Sequence, residues 1–134
     1  MPPDPISPGS SADWLRYAQA DLALAQVPLP AGGLYELLCF HAQQAAEKSL
    51  QAVLIQHGFE PPRTHNLETL IDLLPASLTR TCALIQSARL TVFATSSRYP
   101  GSQESIDEEE YREAVRLAQD VVCWAEAMIL RKGS

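Results

Sequence analysis

The chain has 134 residues, 46% of them hydrophobic, which is the size of one domain and enough apolar matter to bury a real core. A net charge of −6 excludes a broad affinity for nucleic acid, which needs a basic footprint, while the ten basic residues, eight of them arginine, suffice for one local phosphate site. No apolar run approaches the roughly 18 residues that a membrane span requires.

Met1–Ser10 holds four prolines and no basic residue. It reads as a disordered lead-in, with neither the basic start of a signal peptide nor the arginines of a transit peptide. The domain proper is expected over residues 11–132. A first helix is predicted from Ala12 to Gln26, capped by Ser10 or Ser11, with Asp13 at the positive end of its dipole. Trp14, Leu15, Ala18, Leu22 and Ala25 form its stripe. Pro28, Pro30 and Gly32–Gly33 break the chain.

The second predicted helix, Leu34 to Gln56, carries two apolar stripes. Leu34, Leu37, Leu38, Ala45, Ala52 and Ile55 make one; Tyr35, Cys39, Ala42, Ala46, Ser49 and Val53 make the other. A face that wide and rich in small residues suits a central bundle helix. His41, Gln44 and Lys48 lie along the first stripe at i, i+3 and i+7, and polar groups on a dry face require partners. Lys48 is one of only two lysines. It must pair with a carboxylate, with Asp21 a candidate, or snorkel, or meet a ligand anion. His41 is open to a core hydrogen bond, to general-base work or to phosphate binding. Gly58 supplies a left-handed cap and Pro61–Pro62 prevents resumption.

A short third helix is predicted from Asn66 to Leu74. His65, just before it, either belongs to the cap with Thr64 or Asn66, or joins Arg63 in binding an anion. The fourth, Ser77 to Thr95, is striped by Leu78, Cys82, Ile85, Ala88 and Val92. Ser96 to Ser105 is a loop, because Tyr99 precedes Pro100 and is disfavoured in helix. Arg98 there either complements the fourth helix's dipole or serves a site together with Tyr99. The fifth starts at Ile106 or Asp107 and is amphipathic to the end, with Tyr111, Ala114, Val115, Ala118, Val121, Val122, Ala125, Met128 and Ile129 inward. Every periodic segment is helical, so the expected fold is all-α: an up-and-down antiparallel bundle of four main helices and one short one.

Bundle metal sites fail on inspection. No glutamate is followed by histidine three residues later, and no Cys-x-x-Cys, His-Glu-x-x-His or phosphate-loop sequence occurs. No metal or cofactor is expected. The cysteines, Cys39, Cys82 and Cys123, fall at positions expected to be helical and buried, and without paired spacing they suggest reduced thiols and a cytoplasmic location.

The run Leu38-Cys39-Phe40-His41-Ala42-Gln43-Gln44-Ala45-Ala46-Glu47-Lys48, then Thr64-His65-Asn66-Leu67, then Arg98-Tyr99-Pro100, resembles the HEPN domains, specifically the small prokaryotic proteins encoded beside minimal nucleotidyltransferases. Ala20-Asp21-Leu22 and the last helix fit as well. The resemblance implies a helical homodimer, a small nucleotidyltransferase partner, a toxin–antitoxin-like role, and binding of nucleotide or RNA phosphate. It carries over His41, Gln44, Glu47, Lys48, His65, Arg98 and Tyr99 as ligand or partner residues. Many HEPN proteins are ribonucleases that use Arg, four to six residues, then His. No arginine here meets that spacing, so no catalytic residue carries over. The alternative is an atypical ribonuclease in which His41 or His65 stands in across a dimer.

Overall fold

The computed structural model describes residues 6–94 and 105–130, and among them there are helices and no strand. Helix α1 is Ser11–Ala25, α2 Tyr35–Gln56, α3 Leu67–Asp72, α4 Cys82–Ser87 and α5 Glu108–Leu130; α4 runs on as a 3-10 segment, Ala88–Ala94. Of the residues expected to act together, Arg98 and Tyr99 lie outside the described residues, as does most of the predicted loop around them.

Four of the helices start on a local side-chain cap, whereas α2 follows Leu34 without one. Ser10 accepts from the Asp13 amide, and Asp13 in return accepts from the Gly9 amide and the Arg16 guanidinium. Those bonds, Gly9 foremost, hold the Asp13 carboxyl below the usual range. Asn66 caps α3 through the Glu68 and Thr69 amides, Thr81 caps α4 through Leu84, and Asp107 accepts from the Glu110 amide at the entry to α5. Helix α2 ends in a two-bond lock. Gly58, at φ +86°, donates to Ile55, and Phe59 donates to Leu54. Only a residue without Cβ takes that left-handed conformation cheaply.

Helix α2 is the centre of the bundle, with 13 of its 22 residues buried. The stripe Cys39, Ala42, Ala46, Ser49 and Val53 is fully covered, and small side chains there let α1 and α5 approach. Contacts fix the directions. Asp21 meets His41 and Lys48 while Tyr17 lies beside Lys48, so α1 and α2 run antiparallel. Tyr35 stacks on Tyr111 at 4.9 Å and Gln56 donates to the Met128 carbonyl, so α2 and α5 run the same way. That is the relation of the second and fourth strokes of an up-and-down order.

The fourth predicted helix needs correction. It begins at Cys82 rather than Ser77, and its buried residues are Leu84, Ser87 and Leu90. Ile85 and Val92, expected inside, are exposed. Ile85 follows the buried Leu84 by one position, about 100° round the α-helix, and so falls off the covered face; past Ala88 the three-residue turn of the 3-10 segment keeps Leu90 inward and leaves Val92 outside. Cys82 and Cys123 are likewise exposed, and only Cys39 of the three is buried. The other expected stripe of α2 is covered at Leu38, Ala45 and Ala52, but Leu34 and Leu37 at its start are exposed. No helix among the described residues is long and apolar enough to cross a membrane.

Candidate functional site

Two polar clusters sit along α2, each organised by a carboxylate. Asp21, 8% exposed on α1, is the hub of the first. Its Oδ2 meets Lys48 Nζ at 2.6 Å and its Oδ1 meets His41 Nδ1 at 3.0 Å. His41 and Lys48 are seven residues apart, so they lie on one face about two turns, roughly 10 Å, from each other. A long lysine arm and an imidazole can therefore converge on one carboxylate. Lys48 Nζ also lies 5.8 Å from the centre of the Tyr17 ring, within reach of a cation–π contact.

Glu47 is the hub of the second cluster. Its Oε1 faces His65 Nδ1 at 2.8 Å, Gln43 Nε2 at 3.1 Å and Gln44 Nε2 at 3.4 Å. Gln43 also donates to the His65 carbonyl at 3.0 Å and accepts from Gln44 at 2.7 Å. Glu47 and Gln43 are buried, whereas the His65 side chain is 66% exposed. The loop before α3 is thus pinned to α2 by both its peptide and its imidazole. Asn66 can then cap α3, and Thr91 of the 3-10 segment accepts from the Leu67 amide. His65 is an anchor whose exposed ring keeps its Nε2 edge for other work.

Glu47, Lys48 and His65 line one cleft of about 800 Å³ between the start of α1, the second half of α2 and the loop after it. Trp14, Gln51, Phe59 and Arg63 complete its working walls. A smaller pocket of about 330 Å³ adjoins it at Trp14 and Lys48 and is bounded by Tyr17 and Asp13. His41 and Gln44 do not line the cleft. They act through Asp21 and Glu47, holding the carboxylates that hold Lys48 and His65.

Another cleft, about 640 Å³, lies between the 3-10 segment and α5. Two of its arginines are paired, Arg116 with Glu113 at 2.7 Å and Arg112 with Glu108, which lies outside the cleft wall, at 2.8 Å, and it contains none of the expected site residues. Among the described residues no group of three or more histidine, cysteine or carboxylate side chains is placed to hold a metal ion.

Sequence reasoning points to Asp21 as a partner for Lys48 and within Ala20-Asp21-Leu22, and gives Gln43 and Gln51 no individual role. A Gln43-x-x-x-Glu47 pair one turn apart was a readable sign of a polar ladder. Gln51 extends that row by a further turn, but its burial against the loop is a matter of tertiary packing.

The model of the HEPN domain family matches residues 11–128. Among solved structures the chain is similar to TT1696 from Thermus thermophilus, with 29% identity and a TM-score of 0.77 over 89% of this chain and 98% of that one. It is similar also to ST0689, an archaeal HEPN homologue, with 30% identity and a TM-score of 0.69 over 90% of this chain and 98% of that one. No curated protein matches.

Proposed function

We propose a role that starts from one fact: the chain belongs to the HEPN domain family. It is a cytoplasmic homodimeric module that binds nucleotide or RNA phosphate and works with a small nucleotidyltransferase, as one half of a toxin–antitoxin-like pair. The observation that supports binding most directly is the fixing of Lys48 and His65 by the inward carboxylates Asp21 and Glu47 beside a shared cleft. Such supports pre-organise donors, so little side-chain entropy is lost when an anion arrives. The ammonium of Lys48 has three donors, of which Asp21 engages one. Family resemblance adds Arg98 and Tyr99 as further ligand or partner residues. Titrating a labelled single-stranded RNA and ATP into the purified chain tests binding, and co-expression with a nucleotidyltransferase encoded beside it tests partnership. Absence of both interactions refutes the reading.

One observation favours the ribonuclease alternative. His41 and His65 each place Nδ1 against a carboxylate, which leaves Nε2 as the working nitrogen of a general base. Against it stands the missing arginine–histidine spacing. The expected outcome with single-stranded RNA and chelator is no turnover. Cleavage that disappears in His41→Ala or His65→Ala establishes the enzyme instead.

A further inference from the structure

The 3-10 segment Ala88–Ala94 is seven residues long and continues directly from α4. Its hydrogen-bond geometry is poorer than that of an α-helix, and 3-10 runs beyond three or four residues are uncommon. No proline or glycine lies within it to impose the tighter turn. We propose that this segment is a two-pitch switch: it relaxes to α-helix, and its pitch is read at the start of α3 through the bond between Thr91 and Leu67, coupling the cleft along α5 to the loop that carries His65.

The sequence serves both pitches. At three residues per turn Ser87, Leu90 and Phe93 fall in line. Ser87 and Leu90 are buried and Phe93 packs against the core. At 3.6 residues per turn a different set aligns. Leu84, Ser87 and Thr91 then share the inward face at i, i+3 and i+7, and Ile85, Ala88 and Val92 share a neighbouring one. Ile85 and Val92 are 59% and 42% exposed, so the α-helical stripe is written in the sequence but unused in this fold. An apolar set for each pitch is the condition for two packings of one segment to lie close in free energy. Relaxation from about 2.0 to about 1.5 Å of rise per residue shortens seven residues by roughly 3.5 Å. Counted from Ser87, it turns Leu90 by roughly 60° and Thr91 by roughly 80°. The cleft of about 640 Å³ lined by Leu90, Val92 and Phe93 gives free space beside the turning side chains.

Thr91 carries the change across the molecule. Its hydroxyl accepts from the Leu67 amide at 3.1 Å. Leu67 opens α3 and Asn66 caps it. His65, next before them, is held to Glu47 at 2.8 Å and by its carbonyl to Gln43. A rotation at Thr91 takes the hydroxyl from the Leu67 amide and loosens the start of α3, two residues from His65. An occupant of the α5 cleft that touches Leu90 and Phe93 where they now lie favours the 3-10 form, and by linkage it keeps the His65 loop fastened. The device requires no bound ligand and stands apart from the binding reading.

The test is NMR relaxation dispersion on the full, unliganded chain. Residues 88–94 and Leu67 should exchange at one shared rate with a minor form of roughly 0.1–10%, the usual range of such states. Thr91→Val keeps the side-chain shape, removes the acceptor and should raise the minor population about fivefold, the worth of one hydrogen bond. Thr91→Ser keeps the hydroxyl and should leave it unchanged. The swapped variant Leu90→Thr/Thr91→Leu puts the large side chain where the α-helical pitch points inward. It should show i to i+4 contacts across residues 87–94, and its chemical shifts should match those of the minor form. No exchange at residues 88–94, or a rate that Leu67 does not share, overturns the proposal. So does a Thr91→Val chain in which only the Leu67 amide loses protection, the mark of a static bond, or a folded swap that keeps the three-residue pitch. If the swap fails to fold, Thr91→Val decides alone.

Discussion

Replacing Lys48 by methionine keeps the length and apolar stem of the side chain and removes only the ammonium that meets Asp21 at 2.6 Å. At that separation an effective dielectric near 20 gives a gross attraction of roughly 6 kcal/mol. Drying the two ions offsets most of it. The side chains are 22% and 11% exposed, which places the pair between two limits. A surface bridge contributes at most about 1 kcal/mol, and truncating a buried one costs roughly 3–5 kcal/mol. His41 stays on the other carboxylate oxygen at 3.0 Å and keeps Asp21 from being orphaned. The expected loss is therefore about 2 kcal/mol, or roughly 6–10 °C in Tm for a chain of this length. Asp21→Asn disturbs both contacts and should cost somewhat more. The double variant should cost less than the sum of the singles by about 1–2 kcal/mol, because the pair can be lost only once. Urea denaturation followed by circular dichroism, at matched protein concentration because assembly shifts apparent stability, measures all four corners of the cycle. Additive losses, or a Lys48→Met loss below about 0.5 kcal/mol, refute the claim that this bridge fastens α1 to α2.

Tyr111 donates to the Ala25 carbonyl, and burial, with lesser contributions from Cys39 and Tyr35, pushes its hydroxyl above the ordinary phenol range. Its folded value lies above its unfolded one, so the linked stability is whole below about pH 10 and falls as pH rises through the two values. Tyr111→Phe should flatten that alkaline slope in pH-dependent melts and cost about 1 kcal/mol at neutral pH; an unchanged slope refutes the assignment. Leu24 on α1 and Leu37 on α2 are 49% and 63% exposed, apolar side chains that a second copy of the chain can cover. Light scattering at tens of micromolar should report a symmetric dimer that Leu37→Asp weakens, and an unaltered chain that is wholly monomeric refutes dimerisation at that concentration.

The helical class, the caps at Ser10, Gly58 and Asn66 and the central place of α2 were legible in the sequence because they depend on residues within a turn of one another. Gly58 ends α2 through its own backbone freedom, and Asn66 starts α3 through amides two and three positions ahead. The pairing of Lys48 with Asp21 was legible for a different reason: a lysine on a dry stripe demands a carboxylate, and an antiparallel first helix offers one. What stayed hidden depends on phase and on chain segments far apart. Past Ala88 the helix tightens to a three-residue turn, which carries Leu90 inward and Val92 outward, and no local preference announces that change of pitch; Ile85, in the α-helical part, is exposed because the buried face there runs through Leu84 and Ser87. His65 and Glu47 are 18 residues apart. Gln51 comes to lie buried beside a cleft only when the loop carrying Phe59 and Arg63 folds back beside the start of α1. Periodicity assigns a residue to one side of its own helix, but whether that side meets core, solvent or cleft is decided by what the rest of the chain places opposite it.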